Sequence, residues 1–396
     1  MGFRRKGPPV AKIKHHSLTG RITLELMHRA FRNVRRNRGA AGIDKMSIVM
    51  FEANLEQNLL ALMRDLKTRG AYQALPLRRT YIPKGQGQTR PLGIPAVRDR
   101  VAQEVLRLIL SPLFERLFHD DSYGFRPRRS CHMALEKVVE LHRLGYTHVL
   151  DADIKGFFDN LPHSVIMTAL RAEVADGNIL DLIEKFLKAG VMEAGAFQPT
   201  RLGTPQGGVI SPLLANIALN SLDWRLHERG YRFVRYADDF VVLCRSEAQV
   251  QEAHDLVQQH LTSLGLTLSA EKTKTTQFRE GFAFLGFDIS SWSITMRPKS
   301  VENFKTKVRE LTPRHHNLDA RVIEKLNRVI RGTANYFATT FADVGDRFRG
   351  LDRWIRMRLR CMKYKRKSRA DNGRIRLARF RRLGLLFLSD LRPAPA

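Results

Sequence analysis

The most constraining feature of this sequence is an acidic turn between two apolar runs, R-F-V-R-Y-A-D-D-F-V-V-L-C-R at residues 232–245. Strand-forming runs on both sides of a two- or three-residue turn are typical of a β-hairpin. The pattern predicts a hairpin with Asp238 and Asp239 at its tip. An Asp-Asp pair alone is more often a solvated turn than a metal site. Here the apolar strands would bury the base of the turn, which favours a functional role.

A second group of acids ends a predicted strand earlier in the chain, T-H-V-L-D-A-D at residues 147–153. Aspartates brought close together repel one another, so a shared site is stable only when cations occupy it. The three cysteines lie far apart, which excludes a zinc ribbon and a disulfide framework. Oxygen ligands favour magnesium or manganese. Asp151 is an alternative to Asp153, because strand alternation places both on one face.

The net charge of +29 is concentrated at the two ends of the chain. Residues 1–38 contain eleven Lys/Arg and one acid, and residues 353–392 contain fifteen Lys/Arg and two acids. Such a distribution predicts salt-sensitive binding to a polyanion and argues against an ordinary metabolic enzyme. No apolar run has the length of a secretory signal core or a membrane span, so no membrane association is expected.

Periodicity along the rest of the chain predicts a mixture of helices and hairpins, with a change to consecutive helices near residue 297. Helices are predicted at residues 23–36, 51–66, 101–118, 162–175 and 248–264, and hairpins at 75–94 and 282–297. Three further helices are predicted at residues 301–311, 319–341 and 347–365.

The Y-A-D-D segment resembles the active-site hairpin of reverse transcriptases, and other segments resemble the motifs of that family in the same order. They are N-R-G-A-A-G-I-D (37–44), I-P-K-G-Q-G-Q-T-R-P-L-G-I-P (82–95), D-I-K-G-F-F-D (153–159), T-P-Q-G-G-V-I-S-P (204–212), G-L-T-L-S-A-E-K-T-K (265–274) and F-L-G-F (284–287). L-N-R-V-I-R-G-T-A-N-Y-F (326–337) and L-D-R-W-I-R-M-R-L-R (351–360) resemble the maturase thumb of bacterial group II intron reverse transcriptases. The resemblance covers about residues 20–365.

The resemblance implies an α+β right-hand polymerase, with fingers and palm and an α-helical maturase-type thumb. The expected division is a basic arm and first helix at 1–38, fingers and palm at 39–297, the thumb or maturase domain at 298–362, and a basic tail at 363–396. No cysteine-bearing endonuclease module is expected after the thumb, because residues 363–396 contain no cysteine. The tail is expected to be at most a reduced DNA-binding domain, as in the endonuclease-lacking members of the family.

The resemblance also implies the catalytic residues. Asp153 and Asp238 are expected to bridge two Mg²⁺ ions, with Mn²⁺ as the alternative. Asp239 is expected to be a supporting carboxylate that also serves as a metal ligand, and the carbonyl of Ile154 to complete a metal shell. Asp159 is interpreted as a helix-start residue.

A nucleotide pocket is implied by the same motifs. The residues assigned to it are Lys84, Arg90, Phe158, Gln206, Gly207 and Lys272. Lys84 and Arg90 would clamp the triphosphate, and Phe158 would exclude a 2′-hydroxyl. Phe157 is as readily a core residue, and Lys272 is as readily a surface lysine. Contacts to nucleic acid are expected from Arg126, Arg128, Arg353, Arg356, Arg360, Lys363, Lys365 and Arg366.

The expected function is RNA-directed DNA synthesis from a DNA primer, with dNTPs as substrates, in the bacterial cytoplasm or nucleoid. Group II intron RNA is the expected further partner, which the chain would bind as a maturase in splicing and mobility. A homodimer is left open. Two alternatives also stay open: a domesticated host reverse transcriptase in repair or defence, and an RNA-binding splicing cofactor with little polymerase activity.

Overall fold

The protein is described from a computed structural model, which covers residues 14–85, 88–193, 195–204 and 207–391. Its helices are α1 (Leu24–Arg36), α2 (Ile48–Ala53), α3 (Leu55–Lys67), α4 (Val97–Glu115), α5 (Cys131–Arg143), α6 (Phe157–Asn160), α7 (His163–Glu173), α8 (Gly177–Lys188), α9 (Ser211–Glu228), α10 (Glu247–Ser263), α11 (Pro298–Leu311), α12 (Ala320–Phe337), α13 (Gly345–Tyr364), α14 (Asp371–Arg374) and α15 (Leu377–Arg382). Short 3-10 turns lie at Thr19–Arg21 and Leu388–Leu391.

The strands are β1 (Leu77–Gly85), β2 (Gln88–Ile94), β3 (His148–Asp153), β4 (Val191–Glu193), β5 (Ala196–Gln198), β6 (Arg232–Tyr236), β7 (Asp239–Cys244), β8 (Lys274–Gln277), β9 (Phe282–Phe284), β10 (Phe287–Ile289) and β11 (Ile294–Met296). They form three sheets, with strand orders β2-β1-β4-β5, β6-β7-β3-β8 and β11-β10-β9. The mixture of helices and sheets agrees with the predicted α+β class.

The chain divides into two compact units. The first unit consists of Met1–Ser130, Ala152–Val242 and Ala248–Lys274, and the second of Cys131–Asp151, Leu243–Glu247 and Thr275–Ala396. The first unit contains the acidic turn, and the second contains α11 to α15. Within the described residues, no helix combines the length and apolar character that crossing a bilayer requires.

The two hairpins predicted from the clearest patterns are confirmed. β6 and β7 flank the acidic turn, with Ala237 and Asp238 between them. β1 and β2 pair antiparallel, with Ile82 opposite Arg90, and the strands extend further toward the tip than predicted. β1 also pairs in parallel with β4, which the sequence did not predict.

Two element predictions were wrong in detail. The helix predicted at 51–66 is two helices, because the chain leaves helical geometry at Asn54. The hairpin predicted at 282–297 is a three-stranded meander, because β9 and β10 are joined by a tight turn at Leu285 and Gly286. Both residues have positive φ values, 48° and 83°. Glycine adopts that conformation without a Cβ clash, so F-L-G-F is itself a turn.

A buried Tyr-Asp pair anchors the chain just before β1. Tyr72 donates its hydroxyl hydrogen bond to Asp99 near the start of α4, and Asp99 also accepts the N–H of Leu75 at 3.0 Å. Burial raises the pKa of Asp99 to about 6, although the hydrogen bonds from Tyr72 and Leu75 act in the opposite direction. The contact fixes where the β1–β2 hairpin leaves the helical part of the unit.

Candidate active site

The acidic turn is held in an uncommon backbone conformation. Ala237, between β6 and Asp238, has a φ of 63°, a left-handed value that costs a non-glycine residue about 1 kcal/mol. Gly124 packs directly against it, since a Cβ on Gly124 would lie 2.3 Å from the Ala237 nitrogen. Asp238 is half-buried, and Asp239 is exposed at the start of β7. Surrounding backbone therefore fixes where Asp238 is presented.

Asp153 is positioned by the segment that leads into β8. The Asp153 carbonyl accepts the N–H of Ser269 at 2.8 Å, and the N–H of Lys155 reaches the carbonyl of Thr267 at 2.9 Å. These two bonds bracket an antiparallel bridge between Ile154 and Leu268. In such a pair, the backbone groups of the central residue point away from the partner strand. The Ile154 carbonyl is therefore not used in this pairing.

A cavity of about 710 Å³ collects most of the predicted catalytic and nucleotide-binding residues. Those that line it are Asp153, Ile154, Asp238, Arg90, Phe158, Gly207 and Lys272. Asp159 also lines the cavity. Asp151 and Asp239 are not among the described residues of its lining. Residues from β2, β3, the β6–β7 turn and the segment after α10 thus meet at one place.

The electrostatics of the cavity show that the two aspartates interact. The pKa of Asp238 is raised, chiefly because burial disfavours the charged carboxylate, and the Asp153 carboxylate raises it further. Arg90 and Lys272 act in the opposite direction. The Lys272 ammonium contacts both carboxylate oxygens of Asp153, at 3.0 and 3.3 Å. The carboxylate of Asp153, the first acid of the D-I-K-G-F-F-D motif, is therefore already paired with a positive charge.

The donor chemistry of the cavity fits a hard cation, because two carboxylates and a backbone carbonyl are oxygen ligands. Among the described residues, no three His, Cys, Asp or Glu side chains lie close enough together to hold a metal by themselves. A bound cation would therefore use Asp153, Asp238 and backbone or substrate oxygens. Reverse transcriptases generally use divalent metal ions, and this set suits one.

The two phenylalanines of the D-I-K-G-F-F-D segment have different environments. Both line the cavity, but Phe157 is 2% exposed and belongs to the core, whereas Phe158 is half-buried. Their rings pack edge to face, with centroids 5.3 Å apart. The Phe158 carbonyl accepts the N–H of Thr204 at 2.8 Å, which fixes the backbone behind the ring.

The glycine-rich loop after Thr204 packs against the β1–β2 hairpin. Gly207 has a φ of 114°, and a Cβ there would lie 2.4 Å from the carbonyl oxygen of Gly93 in β2. The loop is also held at Val209, whose N–H donates to the Gln103 side chain at 2.8 Å. A glycine is thus required at Gly207 for contact with the hairpin. Gln206 and the side chain of Lys84 lie outside the described residues.

The residues predicted to contact nucleic acid fall into two groups. Arg126 is 7% exposed, and its guanidinium bonds to Glu115 and to the carbonyls of His119 and Ser122. Arg360 donates to the Ile375 carbonyl at 2.8 and 3.0 Å. Both guanidinium groups have internal structural partners.

The remaining predicted contacts are more accessible. Arg128, Arg353 and Lys363 are exposed. Arg356 is half-buried, with its guanidinium over the Phe387 ring. Lys365 and Arg366 are exposed and bond to the His316 carbonyl and to Asp371, respectively.

Sequence reasoning missed a buried ion pair behind the acidic turn. Arg235 and Asp223 are both fully buried, and the arginine also bonds to Asn216 and to the carbonyl of Ala237. Arg235 lies in the R-Y-A-D-D string, but no local pattern shows that an arginine in a strand will be buried. Asp223 lies among the leucines Leu219, Leu222 and Leu226 of α9, which was the available signal.

Two segments of the chain match known protein families. Residues 82–289 match the family "Reverse transcriptase (RNA-dependent DNA polymerase)", and residues 301–380 match "Group II intron, maturase-specific domain". The protein YkfC of Escherichia coli (strain K12) is 38% identical over an alignment of 284 residues, and the match covers 62% of this chain and 74% of YkfC. The group II intron-encoded protein LtrA of Lactococcus lactis subsp. cremoris is 36% identical over 253 residues, which is 63% of this chain and 41% of LtrA.

Among solved structures, telomerase from Candida albicans in complex with a fragment of telomeric RNA matches with a TM-score of 0.44 and 15% identity. The match covers 80% of this chain and 64% of that chain. The reverse transcriptase match alone spans more than half of the sequence. The chain belongs to the reverse transcriptase family of RNA-dependent DNA polymerases and carries a group II intron maturase-specific domain after its polymerase region.

Proposed function

We propose that this chain extends a DNA primer along an RNA template, with Asp153 and Asp238 as the carboxylates that hold two Mg²⁺ ions. The observation that carries the proposal is the convergence of both acids with Arg90 and Phe158 on one cavity. The four side chains come from three segments of the sequence: Arg90 from β2, Asp153 and Phe158 from the D-I-K-G-F-F-D segment, and Asp238 from the β6–β7 turn. A role in packing alone would not require two mutually repelling carboxylates beside each other.

The cations would lower the pKa of the primer 3′-hydroxyl and stabilise the charge of the leaving pyrophosphate. The chain's own residues orient the reactants. Asp153 at the end of β3 and Asp238 in the β6–β7 turn present their carboxylates from two fixed backbone segments. Ile154 would contribute its carbonyl as a further oxygen ligand, and Asp239 would support the pair from the start of β7.

Basic residues at the cavity suit a dNTP. Arg90 projects from β2 and is close enough to Asp238 to lower its pKa, so its charge acts at the place of reaction. It would clamp the triphosphate, with Lys84 as the second fingers residue. Lys272 would move from Asp153 to a phosphate oxygen when a nucleotide enters. Gly207, which lines the cavity, would contribute backbone to the nucleotide pocket, and Gln206 is proposed as a further pocket residue from its motif.

Primer extension on a homopolymer tests this proposal. Purified protein with poly(rA)/oligo(dT), Mg²⁺ and dTTP at low salt should add deoxythymidine residues, and EDTA should stop the reaction. A reaction on poly(dA)/oligo(dT) measures how strongly the RNA template is preferred. A wild-type protein that binds the RNA template and primer but adds no nucleotide would contradict the proposal and favour an RNA-binding splicing cofactor.

We further propose that the second unit binds group II intron RNA through its exposed arginines. Arg376, Arg379 and Arg382 are exposed on and beside α15. The segment is not a loose tail: buried Asp352 accepts the N–H groups of Leu388 and Ser389 at 2.8 and 3.0 Å. A fixed row of guanidinium groups is suited to a folded phosphate backbone.

The exposed row gives a prediction about salt dependence. Changing Arg376, Arg379 and Arg382 together to Gln should weaken intron RNA binding about tenfold or more and reduce the slope of log affinity against log salt by about two to three. Filter binding across a salt series measures both. A matched triple change of exposed Arg69, Arg143 and Arg229 to Gln controls for net charge. Equal effects of the two triples would contradict a localised interface.

The division into arm (1–38), fingers and palm (39–297), thumb or maturase domain (298–362) and basic tail (363–396) stays a proposal. The maturase-specific match begins at residue 301 and continues to residue 380, into the tail. Together with the packing of Leu388 and Ser389 on Asp352, this supports treating α11 to α15 as one RNA-binding unit.

A further inference from the structure

A buried polar cluster lies directly behind the acidic turn. Arg235 and Asp223 have side chains that are each 1% exposed. Replacing such a pair with apolar residues is often neutral or stabilising, because both charges lose their hydration. The pair is therefore poorly explained as a source of stability, and its contacts show what else it does.

The guanidinium of Arg235 connects a helix to the turn. Its Nε donates to one carboxylate oxygen of Asp223 at 2.7 Å, and Nη2 donates to the other. Nη1 donates to the Asn216 side-chain oxygen at 2.9 Å and to the carbonyl of Ala237 at 2.8 Å. Ala237 immediately precedes Asp238 and has the left-handed φ of 63°. One arginine therefore fixes the peptide that carries the catalytic carboxylate.

The opposite side of the turn is held by the same cluster. Asn216 donates its amide hydrogen to the carbonyl of Gly124 at 2.8 Å, and Gly124 is the residue packed against the Ala237 nitrogen. The backbone of Arg235 pairs with the same strip of chain, giving its N–H to Asp121 and accepting that of Tyr123. The acidic turn thus lies against residues 121–124. The Arg235 side chain bonds to the turn, the Asn216 side chain bonds to Gly124, and the two side chains bond to each other.

The cluster also links the turn to the nucleotide side of the cavity. Asn216 and Asp223 are seven residues apart, so they lie on one face of α9. That helix begins at Ser211, which lines the cavity with Gly207 and Gly208. A single buried helix therefore sets both the glycine-rich loop and the acidic turn.

We infer that Arg235, with Asp223 and Asn216, is a positioning group that holds the Ala237–Asp238 peptide in its catalytic conformation. This inference rests on the proposed role of Asp238. Neither Arg235 nor its partners touch the cavity, so their effect is on the placement of Asp238 and not on substrate binding. Losing the guanidinium fork should loosen the turn while the rest of the unit stays folded.

Arg235→Lys tests the inference because it keeps a positive charge near Asp223 but cannot reproduce the planar fork. Hydrogen–deuterium exchange should become at least about tenfold faster in the peptide that spans residues 234–244, with other peptides of the unit unchanged. The kcat for primer extension should fall about 10- to 100-fold, and KM for dTTP and primer-template should stay within about threefold. Exchange does not depend on polymerase activity, so failure of the proposed function would be seen separately.

A second variant covers the case in which Arg235→Lys does not fold. Asn216→Ala keeps the Arg235–Asp223 pair and removes only the link to Gly124, so a smaller change in the same direction is expected. Arg358→Lys is the control, because Arg358 also donates to a backbone carbonyl and a side-chain oxygen, both of Thr312, far from the turn in sequence. Folded Arg235→Lys or Asn216→Ala protein with exchange and kcat equal to those of Arg358→Lys would overturn the inference. So would a uniform rise in exchange across the unit.

Discussion

Replacing Asp238 with Asn is expected to lower the rate of primer extension by about a thousandfold or more. Asparagine keeps the shape of the side chain but removes the negative charge that would hold a divalent cation at the cavity. Stabilisation of transition-state charge by bound cations is worth several kcal/mol, and each 1.36 kcal/mol is tenfold in rate. Extension of oligo(dT) on poly(rA) at saturating dTTP measures the loss.

The same substitution should not destabilise the fold. Burial and the neighbouring Asp153 raise the pKa of Asp238, so the ionised carboxylate is disfavoured in the folded protein. Removing its charge relieves that repulsion, and the midpoint of thermal unfolding without metal should stay equal or rise. A loss of activity with an unchanged or higher midpoint would then be a loss of chemistry. Retention of more than a tenth of wild-type activity would contradict the assignment of Asp238.

Two matched substitutions locate the effect. Asp239→Asn changes the adjacent acid, which is exposed and outside the described lining of the cavity, and should cost less activity than Asp238→Asn. Asp255→Asn changes an exposed acid on α10, whose side chain is 70% exposed, and should leave extension unchanged. Equal losses for Asp238 and Asp239 would mean that both acids hold the cations, as the family motif suggests.

Local patterns predicted much of the fold because several elements carry their own signals. The β6–β7 hairpin has apolar strands and a two-residue turn. Helix α12 has a regular apolar stripe, in which Ile323, Leu326 and Ile330 are buried. The break at Asn54 was missed because the apolar spacing of Phe51, Leu55 and Leu59 continues through it. α8 was not predicted either, although Asp176 caps its start.

The site was predictable to a different extent. Motif resemblance selected Asp153, Asp238 and Phe158, and the structure places all three at one cavity. The contacts that fix them join residues far apart in sequence, such as Lys272 with Asp153 and Gly124 with Ala237. No periodicity encodes those contacts, because they depend on how helices and strands pack.

Arginine was the hardest residue type to interpret from sequence. Arg126 and Arg235 look like surface charges in the sequence, yet both are buried and bonded to carboxylates and carbonyls. Arg376 and Arg379 occur in an equally basic stretch and are exposed. Composition therefore predicts that the chain binds a polyanion, whereas only packing shows which arginines can reach it.

Replacing Phe158 with Ala is expected to weaken discrimination against ribonucleotides about 10- to 100-fold. Phe158 lines the cavity beside both aspartates, and buried Phe157 and the bond from Thr204 hold it in place. A ring fixed there would leave no room for a 2′-hydroxyl. Removing it opens that space, and differences of one to three kcal/mol are usual for a contact of this kind.

The comparison should use dUTP and UTP on poly(rA)/oligo(dT), because these nucleotides differ only at the 2′ position. The ratio of their kcat/KM values should fall in Phe158→Ala through faster use of UTP, with use of dUTP reduced less than tenfold. Phe158→Tyr retains a ring of the same width and should keep the wild-type ratio. Phe197→Ala, which removes an aromatic ring that is 55% exposed in β5, should also keep it. An unchanged ratio in an active Phe158→Ala protein would remove sugar selection from this residue, and the exclusion would then have to come from backbone at the cavity wall.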